Sequence, residues 1–66
     1  MRALDGHLSR RAQARLGASA LVYREEDGSY TLERADTPPL GLGATASEAE
    51  ASLTALHRAA GAREGP

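Results

Sequence analysis

The chain contains no cysteine, lysine, asparagine, phenylalanine, tryptophan or isoleucine. Without cysteine there is neither a disulfide framework nor a thiolate metal site, so the domain must be held together by packing. The material for packing is thin. The large apolar side chains are nine Leu, two Tyr, one Val and one Met, and fourteen Ala make up most of the 41% hydrophobic content. A chain of 66 residues buries only about 60% of its unfolded surface. A second copy that covers more of that surface is the expected remedy, so a homodimer or higher homo-oligomer is expected. No run approaches the about 20 apolar residues of a membrane span. The opening MRALDGHLSRR lacks the apolar stretch of a signal peptide. The expectation is therefore a cytoplasmic protein that does not enter a membrane. All eight basic residues are arginine, a bias that speaks of a GC-rich genome more than of a mechanism.

Net charge is −1, but the halves differ. Residues 1–20 carry Arg2, Arg10, Arg11 and Arg15 against Asp5, a balance of +3. Residues 21–66 carry four arginines against eight acids, a balance of −4. Such asymmetry fits a nucleic-acid face, and it fits equally two halves that attract each other within or between subunits.

The stretch LVYREEDGSYTLER, Leu21 to Arg34, reads as a β-hairpin turning at Asp27-Gly28, since Gly takes positive φ freely and Asp tolerates it. Alternation places Leu21, Tyr23, Tyr30 and Leu32 on one apolar face. A two- or four-residue loop opposes Tyr23 to Leu32 and Glu25 to Tyr30. A three-residue loop would oppose Tyr23 to Thr31 and break that face, so it is excluded on this reading. Before the hairpin, Asp5 is a candidate N-cap for a helix over Gly6–Leu16 with Leu8, Ala12 and Leu16 as its stripe, closed at Gly17. Met1 to Leu4 carries no clear signal. After strand residues up to Arg34, Thr37-Pro38-Pro39 should end the hairpin, with Leu40-Gly41-Leu42-Gly43 a short third strand or extended return. Thr45-Ala46-Ser47-Glu48 is a capping box that opens a helix from Ala46 to about Ala60, with stripe Ala49, Leu53, Leu56 and Ala60. Gly61 would close it, and the tail from Ala62 should fray. Leu53 and Leu56 are expected against Tyr23 and Leu32. The fold class is α+β: one domain over 1–66, ordered helix, β-hairpin, short third strand, helix, with a small antiparallel sheet covered by helices on one face.

No paired acid–base constellation emerges, so an enzyme is not expected, and neither is a cofactor or metal. His7 and His57 lack partners at ligand spacing and read as helix-surface residues. Gly41-Leu42-Gly43-Ala44 precedes a capped helix, but without GxGxxG or GK[ST] it reads as a tight backbone approach rather than a phosphate cradle. Arg2, Arg10, Arg11 and Arg15 are the candidate nucleic-acid contacts. Glu25, Glu26, Asp27 and Glu33 are exposed by alternation and are the candidate contacts to a protein partner.

From Gly28 on, the chain runs dG-x-Y-T-L-E, then D-x-P-P-L-G, then G-x-T-x-x-E-A-x-x-x-L. These residues are Gly28, Tyr30, Thr31, Leu32, Glu33, Asp36, Pro39, Gly43, Thr45, Glu48, Ala49 and Leu53. This order resembles the HicB-like antitoxin family over about residues 20–60. Asp-Thr-Pro-Pro-Leu-Gly departs from the family's PDLPG, and Pro39 to Gly43 is shorter by about two residues than the family's interval, which curtails the third strand. The given chain ends at Pro66 without the DNA-binding segment that HicB proteins typically add. The resemblance implies a stand-alone core that binds and occludes a small basic toxin, an mRNA interferase of the HicA type. The alternatives are a small nucleic-acid binder using the N-terminal arginines and a structural or oligomeric module.

Overall fold

The computed structural model describes the backbone of residues 1–64 and the side chains as far as residue 61. In chain order the elements are β1 (Ala3–Leu4), α1 (Gly6–Leu16), β2 (Leu21–Arg24), β3 (Tyr30–Arg34), β4 (Thr37–Gly43) and α2 (Ala46–Glu64). The strands form one antiparallel sheet in the order β1-β2-β3-β4. Leu8 and Ala12 of α1 join Ala49 and Leu53 of α2 in one core with Ala20, Val22, Leu32 and Leu42. Both helices therefore cover the same sheet face, and the α+β class and the order of helix, strands and helix are as expected.

The helix starts follow from local chemistry. The Asp5 carboxylate accepts from the Leu8 N–H at 2.9 Å, satisfying one of the free donors of the first turn. At α2 the Glu48 N–H donates to Thr45 Oγ1 at 3.1 Å, while Glu48 Oε1 accepts from the N–H groups of Thr45 and Ala44 at 3.2 and 2.9 Å. This is the capping box, extended by one donor. Gly43 sits at the corner just before it. Its φ is +143°, and a Cβ there would lie 2.6 Å from Glu48 Cβ, so no other residue fits without moving the cap. The end of α2 differs from expectation. Gly61 does not stop the helix, which continues to Glu64. A glycine inside an exposed helix costs about 1 kcal/mol relative to alanine, and the flanking Ala59, Ala60 and Ala62 are strong helix formers. The tail expected to fray begins within this helix, and Gly65 and Pro66 lie outside the described residues.

The hairpin register is the main correction. Val22 opposes Leu32, Tyr23 opposes Thr31 and Arg24 opposes Tyr30, the pairing that the apolar-face argument excludes. The loop has three residues, Glu26 to Gly28. The Gly28 N–H donates to the Glu25 carbonyl at 2.9 Å, the Glu25 N–H donates to the Ser29 carbonyl at 2.8 Å, and Gly28 has φ +87°. This is a type I turn followed by a left-handed residue, the common three-residue hairpin. Asp27 Oδ1 braces it by accepting from the Ser29 N–H at 2.9 Å. A shift of one residue exchanges the faces of a strand. Val22, not Leu21 or Tyr23, therefore lies beside Leu32 under the helices, and Tyr23 does not meet Leu53.

Two further strands differ from expectation. Thr37-Pro38-Pro39 does not merely end the hairpin but begins β4, so the third strand is not curtailed. Ala35 and Asp36 form the tight turn between paired Arg34 and Thr37, with Asp36 at φ +60°. Proline is tolerated because β4 is an edge strand, where a missing N–H need not break a ladder. A register irregularity between Tyr30 and Thr31 adds a residue to β4. That residue, Leu42, is 3% exposed, so the bulge re-aims it into the core. At the opposite edge, Ala3 and Leu4 pair with Arg24 and Tyr23. This short β1 stops before Val22. Ser9, 3% exposed, completes the edge from α1: its hydroxyl oxygen accepts from the Val22 N–H at 2.9 Å and the hydroxyl lies 3.3 Å from the Val22 carbonyl oxygen as donor. The Asp5 N–H donates to the same carbonyl at 2.8 Å. A buried strand edge must find such partners or lose stability.

Candidate interaction surface

The helices leave the other face of the sheet bare. On it Tyr23 of β2 lies between Glu25 and Glu33, and the N-terminal Arg2 reaches across from β1. Its guanidinium carbon stands 4.1 Å from the centre of the Tyr23 ring. Arg2 Nε and Nη2 donate to Glu25 Oε1 and Oε2 at 3.1 and 2.7 Å. Arg2 Nη2 also lies 2.8 Å from Glu33 Oε2. One guanidinium thus makes a bidentate contact, a second ion pair and a cation–π contact. These interactions raise the Arg2 pKa further above its ordinary value, the Glu25 hydrogen bond first and that of Glu33 second. The Glu25 carboxyl is lowered in turn, chiefly by Arg2 and then by a hydrogen bond from Thr31.

The four expected partner-binding acids therefore do not stand free. Glu25 and Glu33 hold Arg2. Glu26 meets the Met1 ammonium at 3.0 Å. Asp27 is taken up by Ser29, whose hydroxyl donates at 2.6 Å and lowers the Asp27 pKa. Beside them is an open depression of about 500 Å³ lined by Arg2, Glu25, Glu26, Asp27 and Ser29.

The four N-terminal arginines are not brought together either. Arg2 belongs to the bare sheet face. Arg11 is on α1, where its Nε lies 2.9 Å from Glu50 Oε1 of α2 and 3.1 Å from His7 Nε2. Arg10 and Arg15 remain on α1 with no ion pair among the described residues. Each described ion pair joins a cation of residues 1–20 to an acid of the second half. The charge asymmetry is thus used, at least in part, for attraction within one chain.

The histidines have local partners. His57 Nδ1 lies 3.0 Å from the Arg15 carbonyl oxygen. A carbonyl only accepts, so the ring donates, and the end of α1 is tied to α2. Gly41 to Ala44 shows no vacant phosphate cradle, since the Ala44 and Thr45 N–H groups are taken by Glu48. Among the described residues no group of three or more His, Cys, Asp or Glu is disposed to hold a metal, and no helix is long and apolar enough to cross a membrane.

Sequence reasoning missed the roles of Ser9 and Arg2. Ser9 is the fourth residue after the cap Asp5, on the buried side of α1 next to Leu8, a hydroxyl where the apolar stripe has its margin. That was its only signal. Arg2 gave none beyond its charge. No protein-family model, curated protein sequence or solved structure matches this chain.

Proposed function

We propose that this chain is a HicB-like, non-catalytic protein-binding module that associates with a second copy of itself and occludes a small basic mRNA interferase of the HicA type. The observation that carries the reading is where the motif residues fall. Gly28 makes the left-handed step of the hairpin, Tyr30 opens β3, Gly43 fits under the cap of α2, and Thr45 with Glu48 forms that cap. These residues fall in one continuous unit of hairpin, strand and capped helix, which supports the reading. Glu25 and Glu33, on the sheet face that the helices leave open, already hold the guanidinium of Arg2, and the same chemistry complements a basic partner. Leu40, 40% exposed on the uncharged edge strand β4, supports self-association through that edge.

The test is purification of the tagged full chain from its native lysate at moderate salt, with retained protein and RNA identified. A small basic ribonuclease in stoichiometric amount, inhibited when the chain is added back, is expected. RNA that washes off with salt would move the function to the arginines of α1. A clean homo-oligomer that inhibits no ribonuclease would leave a structural module.

A further inference from the structure

We infer that Tyr23, Glu25 and Glu33 form a guanidinium socket for an arginine on an extended segment of a protein partner, and that Arg2 is its internal, displaceable plug. The inference rests on the protein-binding reading above and adds the chemistry that would be recognised. It does not stand on acidic residues alone. A guanidinium is already seated in the site, stacked on the Tyr23 ring at 4.1 Å and held by Glu25 at 2.7 and 3.1 Å and by Glu33 at 2.8 Å.

Socket and plug differ in how firmly they are built. The three socket residues stand on β2 and at its β2–β3 turn and on β3. The two strands pair over four residues and carry Val22 and Leu32, both buried, on their inner side. The ring and carboxylates are thereby set in place before any cation arrives. The plug comes from the N-terminal strand. Its backbone is held by only two paired residues, Ala3 and Leu4, both exposed. Met1 is 95% exposed and adds only its surface contact to Glu26. That single contact is an exposed ion pair of the weakly held kind, and none of Met1 to Leu4 belongs to the buried core, so the strap can leave without disturbing it.

Its departure would uncover two features together. One is the socket. The other is the backbone edge of Tyr23 and Arg24 on β2, which β1 covers. An incoming extended segment can pair with that edge while its arginine enters the socket, the mode in which a strand adds to a sheet and one side chain gives specificity. Arginine is favoured over lysine because the planar fork meets Glu25 through two nitrogens while its face lies on the ring. An ammonium does not reproduce that combination.

The test uses the full chain and a probe peptide of its own plug sequence, acetyl-Met-Arg-Ala-Leu amide. Binding is followed by the amide shifts of Tyr23, Thr31 and Glu33 in the Arg2→Ala protein and in the wild type. The Arg2→Ala protein should bind the peptide, and bind it about tenfold more tightly than wild type if Arg2 fills the socket roughly nine-tenths of the time. The peptide with lysine in place of arginine should bind several-fold more weakly. Adding Glu25→Gln and Glu33→Gln to Arg2→Ala should abolish the shifts, with the folded spectrum of the core retained. Equal affinity for the arginine and lysine peptides, no gain in the Arg2→Ala protein over wild type, or unchanged binding after loss of both carboxylates would each overturn the inference. Because the peptide is defined, these outcomes are independent of whether a ribonuclease partner is found.

Discussion

The two faces of the sheet are built in opposite ways. The inner face is aliphatic and closed, with Val22 at 0% exposure and Leu32 at 1%, beneath Leu53 of α2 at 0%. The outer face is charged and open, and the Arg2 and Glu33 side chains keep 42% and 37% of their exposure. The inner face therefore governs whether the domain folds, and the outer face governs what it can meet. In so small a chain the inner face leaves little stability in reserve.

Removing buried volume from the inner face should have the largest effect. Leu53→Ala takes away a side chain packed between α2 and the sheet, for an expected loss of about 2–5 kcal/mol in urea unfolding. A loss near that of a surface substitution would mean that α2 does not dock there. Ser9→Ala comes next. It leaves the buried Val22 N–H without an acceptor, for an expected loss of about 1–3 kcal/mol. Hydrogen exchange should speed up at Val22 well before it does at Leu32, and equal protection in both proteins would remove Ser9 from the edge.

The smallest effect belongs to the outer face and sharpens the contrast, because it depends on pH. Arg2 holds the Glu25 carboxyl below its ordinary value of 4.5, and Ser29 holds that of Asp27 below 3.8. Both groups bind a proton more weakly folded than unfolded. The stability they contribute is therefore complete above those ordinary values and is lost as pH falls through the lowered, folded ones. The urea midpoint of the wild type should drop across that acid window. Arg2→Ala should lose the share of the Glu25 part that Arg2 supplies, keep the share due to Thr31, and keep the part due to Asp27. Identical acid sensitivity in the two proteins would show that Arg2 does not engage Glu25.

The contrast also explains what the sequence disclosed and what it withheld. Asp5 with the Leu8 N–H and Thr45 with Glu48 act over three residues, so both helix starts were legible. The place of the turn was legible for the same reason, but its length was not: the loop is Glu26 to Gly28, the three-residue form that alternation excluded. The register was not. Alternation separates Leu21 and Tyr23 from Ala20 and Val22, but both sets hold an apolar pair, and counting greasy residues favoured the wrong one. The aromatic Tyr23 looked like core material and instead supports a cation. The prolines of β4 looked like a terminator because a proline disrupts a central strand, and nothing local says that this strand lies at an edge. For the candidate site, charge alone identified Glu25 and Glu33 but could not show that Arg2 would occupy them.

By itself, then, the sequence determined the features that a few consecutive residues can specify: two capped helices, one turn, and an α+β succession of elements. The tertiary structure decided which face of the hairpin the helices cover, that Ser9 completes a strand edge, and that the N-terminus closes over Tyr23. The physical reason is range. A cap is complete within one helical turn, whereas a face is chosen only when strands far apart in the chain have paired and the helices have bound to one side of them.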